Sequence, residues 1–166
     1  MTSDIFSSVR DQVHRLAATK STPEQFMASI CELLNEKMLK YNWVGFYMLD
    51  ESGLEPMLEL GAFVGTMTPH TRIPLNQGIC GAAASRGKTV VVDDVSKDQR
   101  YLACSIETKS EIVVPVFVKG RVVGELDIDS HYHAAFAPAD RQLVEFCAAA
   151  VGSFIEAHSL VTHTRG

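Results

Sequence analysis

The sequence holds no Cys-x-x-Cys pair, no apolar run near the length of a membrane span, no basic excess and only one tryptophan. Each shortage excludes something. Four cysteines in 166 residues are too few for a disulfide scaffold, so redox chemistry would need cysteines distant in sequence that the fold brings together. A net charge of -5 offers no basic patch for nucleic acid, and the short apolar runs exclude a spanning helix. The first residues, Met1-Thr2-Ser3-Asp4-Ile5-Phe6, lack the basic flank and apolar core of a signal peptide, so a cytoplasmic location is expected. No repeat or low-complexity tract interrupts the chain. What remains is ordinary globular composition, 46% hydrophobic and 21% charged, enough for a single domain with its own core.

The apolar spacing orders that domain. Ile5, Val9, Val13 and Leu16 recur at helical intervals and predict a helix over 4–18. Thr22 as N-cap, Pro23 in the first turn and Gln25 completing a capping box start a second helix over 23–39, with Phe26, Ile30, Leu33, Leu34 and Met38 on its apolar face. Strands are expected at 41–49 and 55–60, a short one at 71–73, a glycine-opened short helix at 78–84 and a strand at 89–92. Residues 93–110 read as irregular with a turn of helix. A hairpin of 112–117 with 122–128 follows, then a closing helix over 138–158. Strands flanked by terminal helices predict an α+β fold with a mostly antiparallel sheet. The helices lie on one face, in a layout of 1–40 helical, 41–137 sheet and loops, and 138–160 helical.

The stretch Glu125-Leu126-Asp127-Ile128-Asp129 places acids where a core is usual. Strand alternation gives Asp127 and Asp129 one face and Leu126 and Ile128 the other. A two-residue turn at Lys119-Gly120 would set Val114 opposite Glu125 and Ile112 opposite Asp127, mixing charge into an apolar face. A three-residue loop, Val118-Lys119-Gly120, sorts the faces and is the predicted register. It pairs Ile112, Val114 and Val116 with Leu126, Gly124 and Val122, Glu111 with Asp127, and Val113 with Glu125. Glu111, Asp127 and Asp129 then share a face, which is either a site or simply a solvated surface.

Two cysteines stand outside helical apolar patterns. Cys80 lies near the start of the short helix, where free backbone N–H groups favour thiolate; Cys104 lies in a loop-like stretch with Arg100 and Lys109 near in sequence. Each is a candidate reactive thiol or a small buried hydrophobe. Cys31 and Cys147 fit the core. Trp43 and Tyr47 share one strand face and form either the wall of a small cage or part of the core. His131-Tyr132-His133 has metal-like spacing, but it follows the strand exit, where a solvated turn is expected, and no metal site is predicted.

Taken together, Asn42-Trp43-Val44-Gly45-Phe46-Tyr47, Arg72-Ile73-Pro74, Gly78-Ile79-Cys80-Gly81, Ala103-Cys104 followed by Ser110-Glu111-Ile112-Val113, and Leu126-Asp127-Ile128-Asp129-Ser130 resemble the GAF-domain free methionine-(R)-sulfoxide reductases. The resemblance spans about 41–140. It implies a single GAF domain and reduction of free methionine-(R)-sulfoxide without a cofactor. It implies that Cys104 attacks the sulfoxide sulfur and Cys80 is its partner in a disulfide, with thioredoxin or a similar dithiol as reductant. Trp43 and Tyr47 match the aromatic wall of the substrate site, and Glu111, Asp127 and Asp129 the acidic cluster that recognises and activates substrate. A homodimer is expected as well. Many members carry a third cysteine shortly before Arg72-Ile73-Pro74; here His70 stands closest to that position, so resolution falls to Cys80. A non-catalytic GAF module that senses a small molecule is the alternative, weakened by the lack of any appended output segment.

Overall fold

The computed structural model describes the backbone of residues 2–102 and 105–163 and the side chains of 5–102 and 105–159. Two helices open the chain, α1 (Thr2–Thr19) and α2 (Pro23–Lys37). The Thr22 side chain accepts from the Gln25 backbone N–H at 3.2 Å, and the Gln25 side chain accepts from the Ser21 N–H, one residue before the predicted partner. The helix stops two residues short of the expected end, leaving Leu39 in solvent. The strands are β1 (Trp43–Asp50), β2 (Met57–Val64), β3 (Arg72–Pro74), β4 (Val90–Val92), β5 (Ser110–Val118) and β6 (Arg121–Ser130). Between them lie α3 (Gly78–Arg86) and a 3-10 turn at Val95–Lys97, and α4 (Pro138–His163) closes the chain.

All six strands form one antiparallel sheet in the order β3-β2-β1-β6-β5-β4. The alternation of side chains divides it into two compartments. Val44 and Phe46 of β1, Ile112, Val114 and Val116 of β5, and Leu126 and Ile128 of β6 meet α1, α2 and α4 in the main core. On the opposite face, Trp43, Tyr47 and Val113 pack with Ile79, Cys80 and Ala83 of α3 in a second, smaller cluster. Cys31 and Cys147 belong to the main core, where burial pushes the Cys147 thiol up to about 12 and the Cys31 thiol higher still.

The hairpin corrects the predicted register. Val118 pairs with Arg121 across a two-residue turn, with Lys119 and Gly120 both in the left-handed region (φ 52° and 77°). This is the geometry that matches strand twist. Phe117 pairs with Val122, but Val116 pairs with Gly124. Val123 is therefore an extra residue, a β-bulge that reverses the parity of everything beyond it. Ile112 consequently faces Ile128 and Glu111 faces Asp129. The predicted sorting of faces holds, although the loop and the pairing behind it do not.

Candidate active site

Antiparallel pairing sets the acids in rows across the sheet. Trp43, Asp129, Glu111 and Val92 form one rung; Gly45, Asp127, Val113 and Val90 the next; Tyr47, Glu125 and Pro115 the third. Because every second residue faces α3, Glu125, Asp127, Asp129 and Glu111 project into the same compartment. They are covered: Glu125 is 0%, Asp127 and Asp129 3% and Glu111 5% exposed, which overturns the reading of a solvated face. None is ion-paired with a lysine, arginine or histidine among the described residues.

Burial without a counter-cation fixes the protonation. Desolvation holds the Glu111 carboxyl well above the usual carboxylate range, and the neighbouring Asp127 and Asp129 push it further. Desolvation also raises Asp129 and Glu125, each reinforced by Asp127. Asp127 is raised as well by burial, an effect opposed by hydrogen bonds from Glu111 and Cys80. Within this group Asp127 is the acid best able to carry the charge.

Cys80 reaches the cluster from the first turn of α3, its Sγ 3.4 Å from Asp127 Oδ2. The expected thiolate is corrected here. Burial raises the thiol well above its ordinary value, and Asp127, Glu125 and Glu111 add to the shift, so burial among carboxyls outweighs the helix dipole. Gly81 permits the approach of α3, since a Cβ there would lie 2.9 Å from the Leu75 carbonyl oxygen.

The aromatic residues brace the compartment. Trp43 donates from Nε1 to the Thr66 carbonyl at 3.0 Å, and Tyr47 from its hydroxyl to the His70 carbonyl at 2.7 Å. Together they pin the connection between β2 and β3. The indole lies over Gly45, where a Cβ would approach its Cζ3 to 2.8 Å, and beside Gly65, which has φ 128°. Its ring is 6.3 Å from that of Tyr47 and 5.8 Å from that of Phe63. A cavity of about 20 Å3 remains, with Tyr47, His70, Cys80, Leu102, Glu111 and Asp127 on its walls.

Of the candidate residues, Cys80, Glu111, Asp127, Asp129, Trp43 and Tyr47 thus lie in or beside one compartment, while Cys104 lies outside the described residues. His131 and His133 are on the surface, 3.5 Å from Glu107 and 3.7 Å from Asp94, and do not converge on the acids. Sequence reasoning missed Glu125 as a site residue, although its parity with Asp127 signalled it. The assumed loop drew attention away by placing it opposite Val113 instead of Pro115.

An antiparallel sheet with helices on one side and a short helix closing a small pocket on the other defines a domain of the GAF class. The GAF domain model matches residues 22–155. The free methionine-R-sulfoxide reductase of Escherichia coli (strain K12) is 32% identical over 139 residues, spanning 84% of this chain and 81% of the relative. That of Saccharomyces cerevisiae is 41% identical over 105 residues, 63% of this chain and 57% of the relative. The X-ray structure of free methionine-R-sulfoxide reductase from Neisseria meningitidis, in complex with its substrate, superposes with a TM-score of 0.89 at 34% identity. It covers 97% of this chain and 94% of that one. The chain belongs to the free methionine-R-sulfoxide reductase family of GAF-domain proteins.

Proposed function

We propose that this protein reduces free L-methionine-(R)-sulfoxide to methionine, with Cys104 as nucleophile and Cys80 as its partner thiol. The observation that carries the reading is the gathering of Glu111, Asp127 and Asp129 beneath α3 beside Trp43 and the Cys80 thiol, in a chain that is 34% identical to the Neisseria meningitidis enzyme.

Reduction requires a thiolate at the sulfoxide sulfur and a proton for its oxygen. Glu111 is suited to the second task, because burial and two flanking carboxyls favour its protonated form. Asp127, the acid with the most support for its ionised form, pairs with the substrate ammonium. Peptide-bound methionine has no free ammonium to match this cluster and is rejected. The Trp43 ring supplies the apolar wall for the methylthio end. The cavity of about 20 Å3 holds about one water, so binding opens the contact between Leu102 and α3.

Attack by Cys104 transfers the oxygen to its sulfur, releasing methionine and leaving a sulfenic acid. Cys80 condenses with it, giving a disulfide and water. An external dithiol such as thioredoxin then reduces the disulfide and is itself oxidised. Cys80 enters as a thiol, since burial among acids opposes its ionisation, and as the S–S bond forms its proton passes by way of the adjacent Asp127 carboxylate to the departing hydroxide, which leaves as the water. Replacing Cys104 by serine is expected to abolish thioredoxin-dependent consumption of free methionine-(R)-sulfoxide. A sensor module would show no turnover in either protein, and unimpaired turnover by the variant would remove Cys104 from the reaction.

A further inference from the structure

We infer that Cys80, Glu111 and Asp127 form a binding site for a single zinc ion, which occupies the pocket in competition with the substrate ammonium. One ligand atom from each residue lies within 4.8 Å of the other two, all three residues being buried. In a tetrahedral zinc site, Zn–S of about 2.3 Å and Zn–O of about 2.0 Å put sulfur and oxygen about 3.5 Å apart. Cys80 Sγ and Asp127 Oδ2 are separated by 3.4 Å, so this edge of the polyhedron is already formed.

Two further observations point to a cation. Asp127 Oδ1 and Asp129 Oδ1 are buried with no hydrogen-bond partner among the described residues. Buried oxygens of this kind are costly unless something donates to them or coordinates them. The cavity walled by Cys80, Glu111 and Asp127 has a volume of about 20 Å3, which is the room one water or one ion needs. The donor set selects the metal: a sulfur with two carboxylates suits zinc, whereas magnesium and calcium take six or more oxygens. Binding displaces the thiol proton and any proton shared by the two carboxyls to solvent, with no change of oxidation state.

Exclusion of substrate rests on the reductase reading above, while metal binding stands without it. The test uses the full reduced chain, stripped of metal, titrated with Zn2+ against a chromophoric chelator and with Co2+ followed by absorption. The expected result is one ion per chain and a sulfur-to-cobalt charge-transfer band. Cys80→Ser should remove the band and weaken Zn2+ at least tenfold, as should Glu111→Gln, while Cys147→Ser should change neither. Urea midpoints of the variants show that each is folded. Binding of less than one equivalent, a band that survives in Cys80→Ser, or a band lost only in Cys104→Ser would overturn the site. Added methionine sulfoxide should weaken Zn2+ at least tenfold. A chain that binds Zn2+ as described but never consumes sulfoxide would sink the reductase reading and leave the zinc site standing.

Discussion

Glu111 and Glu125 are both buried glutamates raised above the usual carboxylate range, yet their neighbours give them different duties. Glu111 touches Asp127 and Asp129 and walls the cavity. Glu111→Gln keeps the shape but cannot release a proton, so kcat is expected to fall by about 10²–10⁴ with the circular dichroism spectrum unchanged. Unaltered kcat would pass the proton-donor role to Asp129. Glu125 sits on the next rung but one from Asp129, between Tyr47 and Pro115, with neither oxygen in a well-formed hydrogen bond among the described residues and the Cys80 thiol its nearest polar neighbour. An apolar replacement of similar length relieves that desolvation. Glu125→Met is expected to stabilise the protein at pH 8 by about 1–3 kcal/mol, read from urea unfolding. A loss of stability would show that the carboxyl is satisfied within the fold. Parity alone exposed Glu125 in the sequence. What the sequence withheld was its burial, because the α3 cover comes from residues some forty positions earlier.

The hairpin is where local rules conflict and the element resolves them. Lys119-Gly120 specifies a two-residue turn, whereas the apolar pattern demands a pairing that such a turn forbids. The extra residue Val123 lets both be obeyed. A bulge carries no distinct residue signal here, which is why the grouping of Glu111 with Asp127 and Asp129 was legible while the pairing was not. The helix starts were legible for the opposite reason: Thr22, Pro23 and Gln25 act within one turn. Cys80 shows the limit of local reading, since its place in α3 predicted a thiolate, and burial, reinforced by the acids of β5 and β6, reversed it. The turn itself is testable. Lys119 is a non-glycine residue at φ 52°, so Lys119→Asn, better suited to that region, is expected to raise stability by about 0.5–1 kcal/mol. Gly120 has open space around it but φ 77°, so Gly120→Ala should cost about 1 kcal/mol. At this chain length either change moves Tm by about 2–4 °C, and a lower Tm in Lys119→Asn together with a higher one in Gly120→Ala would refute the turn assignment. Sulfoxide consumption should be unaffected in both, because the turn lies at the far end of β6 from Asp129.

Across the whole molecule the sheet separates two environments, an apolar core under α1, α2 and α4 and an acidic compartment under α3. The second works against stability in a way that pH reveals. Glu111, Glu125, Asp127 and Asp129 all have folded-state values above their unfolded ones, so between about pH 4 and their raised values the native chain binds more protons than the unfolded chain. Stability from this source is full below the ordinary carboxylate range and is lost as pH rises toward neutrality. The half-buried Asp50, Asp94 and Asp98, each open to solvent on one side, are lowered by hydrogen bonds from Ser52, Ser96 and Arg100 respectively. Their contribution has the opposite sign, present above about pH 4 and lost below it. Because solvent screens these half-buried carboxylates more than the four fully covered ones, the buried set dominates above about pH 4 and stability falls from there toward pH 8. Thermal unfolding between pH 4 and 8 should show that fall in the native protein and a flatter curve in Asp127→Asn/Asp129→Asn, which removes two of the four titrating groups. A native Tm that held level or climbed from pH 5 to 8 would mean that the four acids are not jointly buried as described, and the proton assigned to Glu111 would go with them.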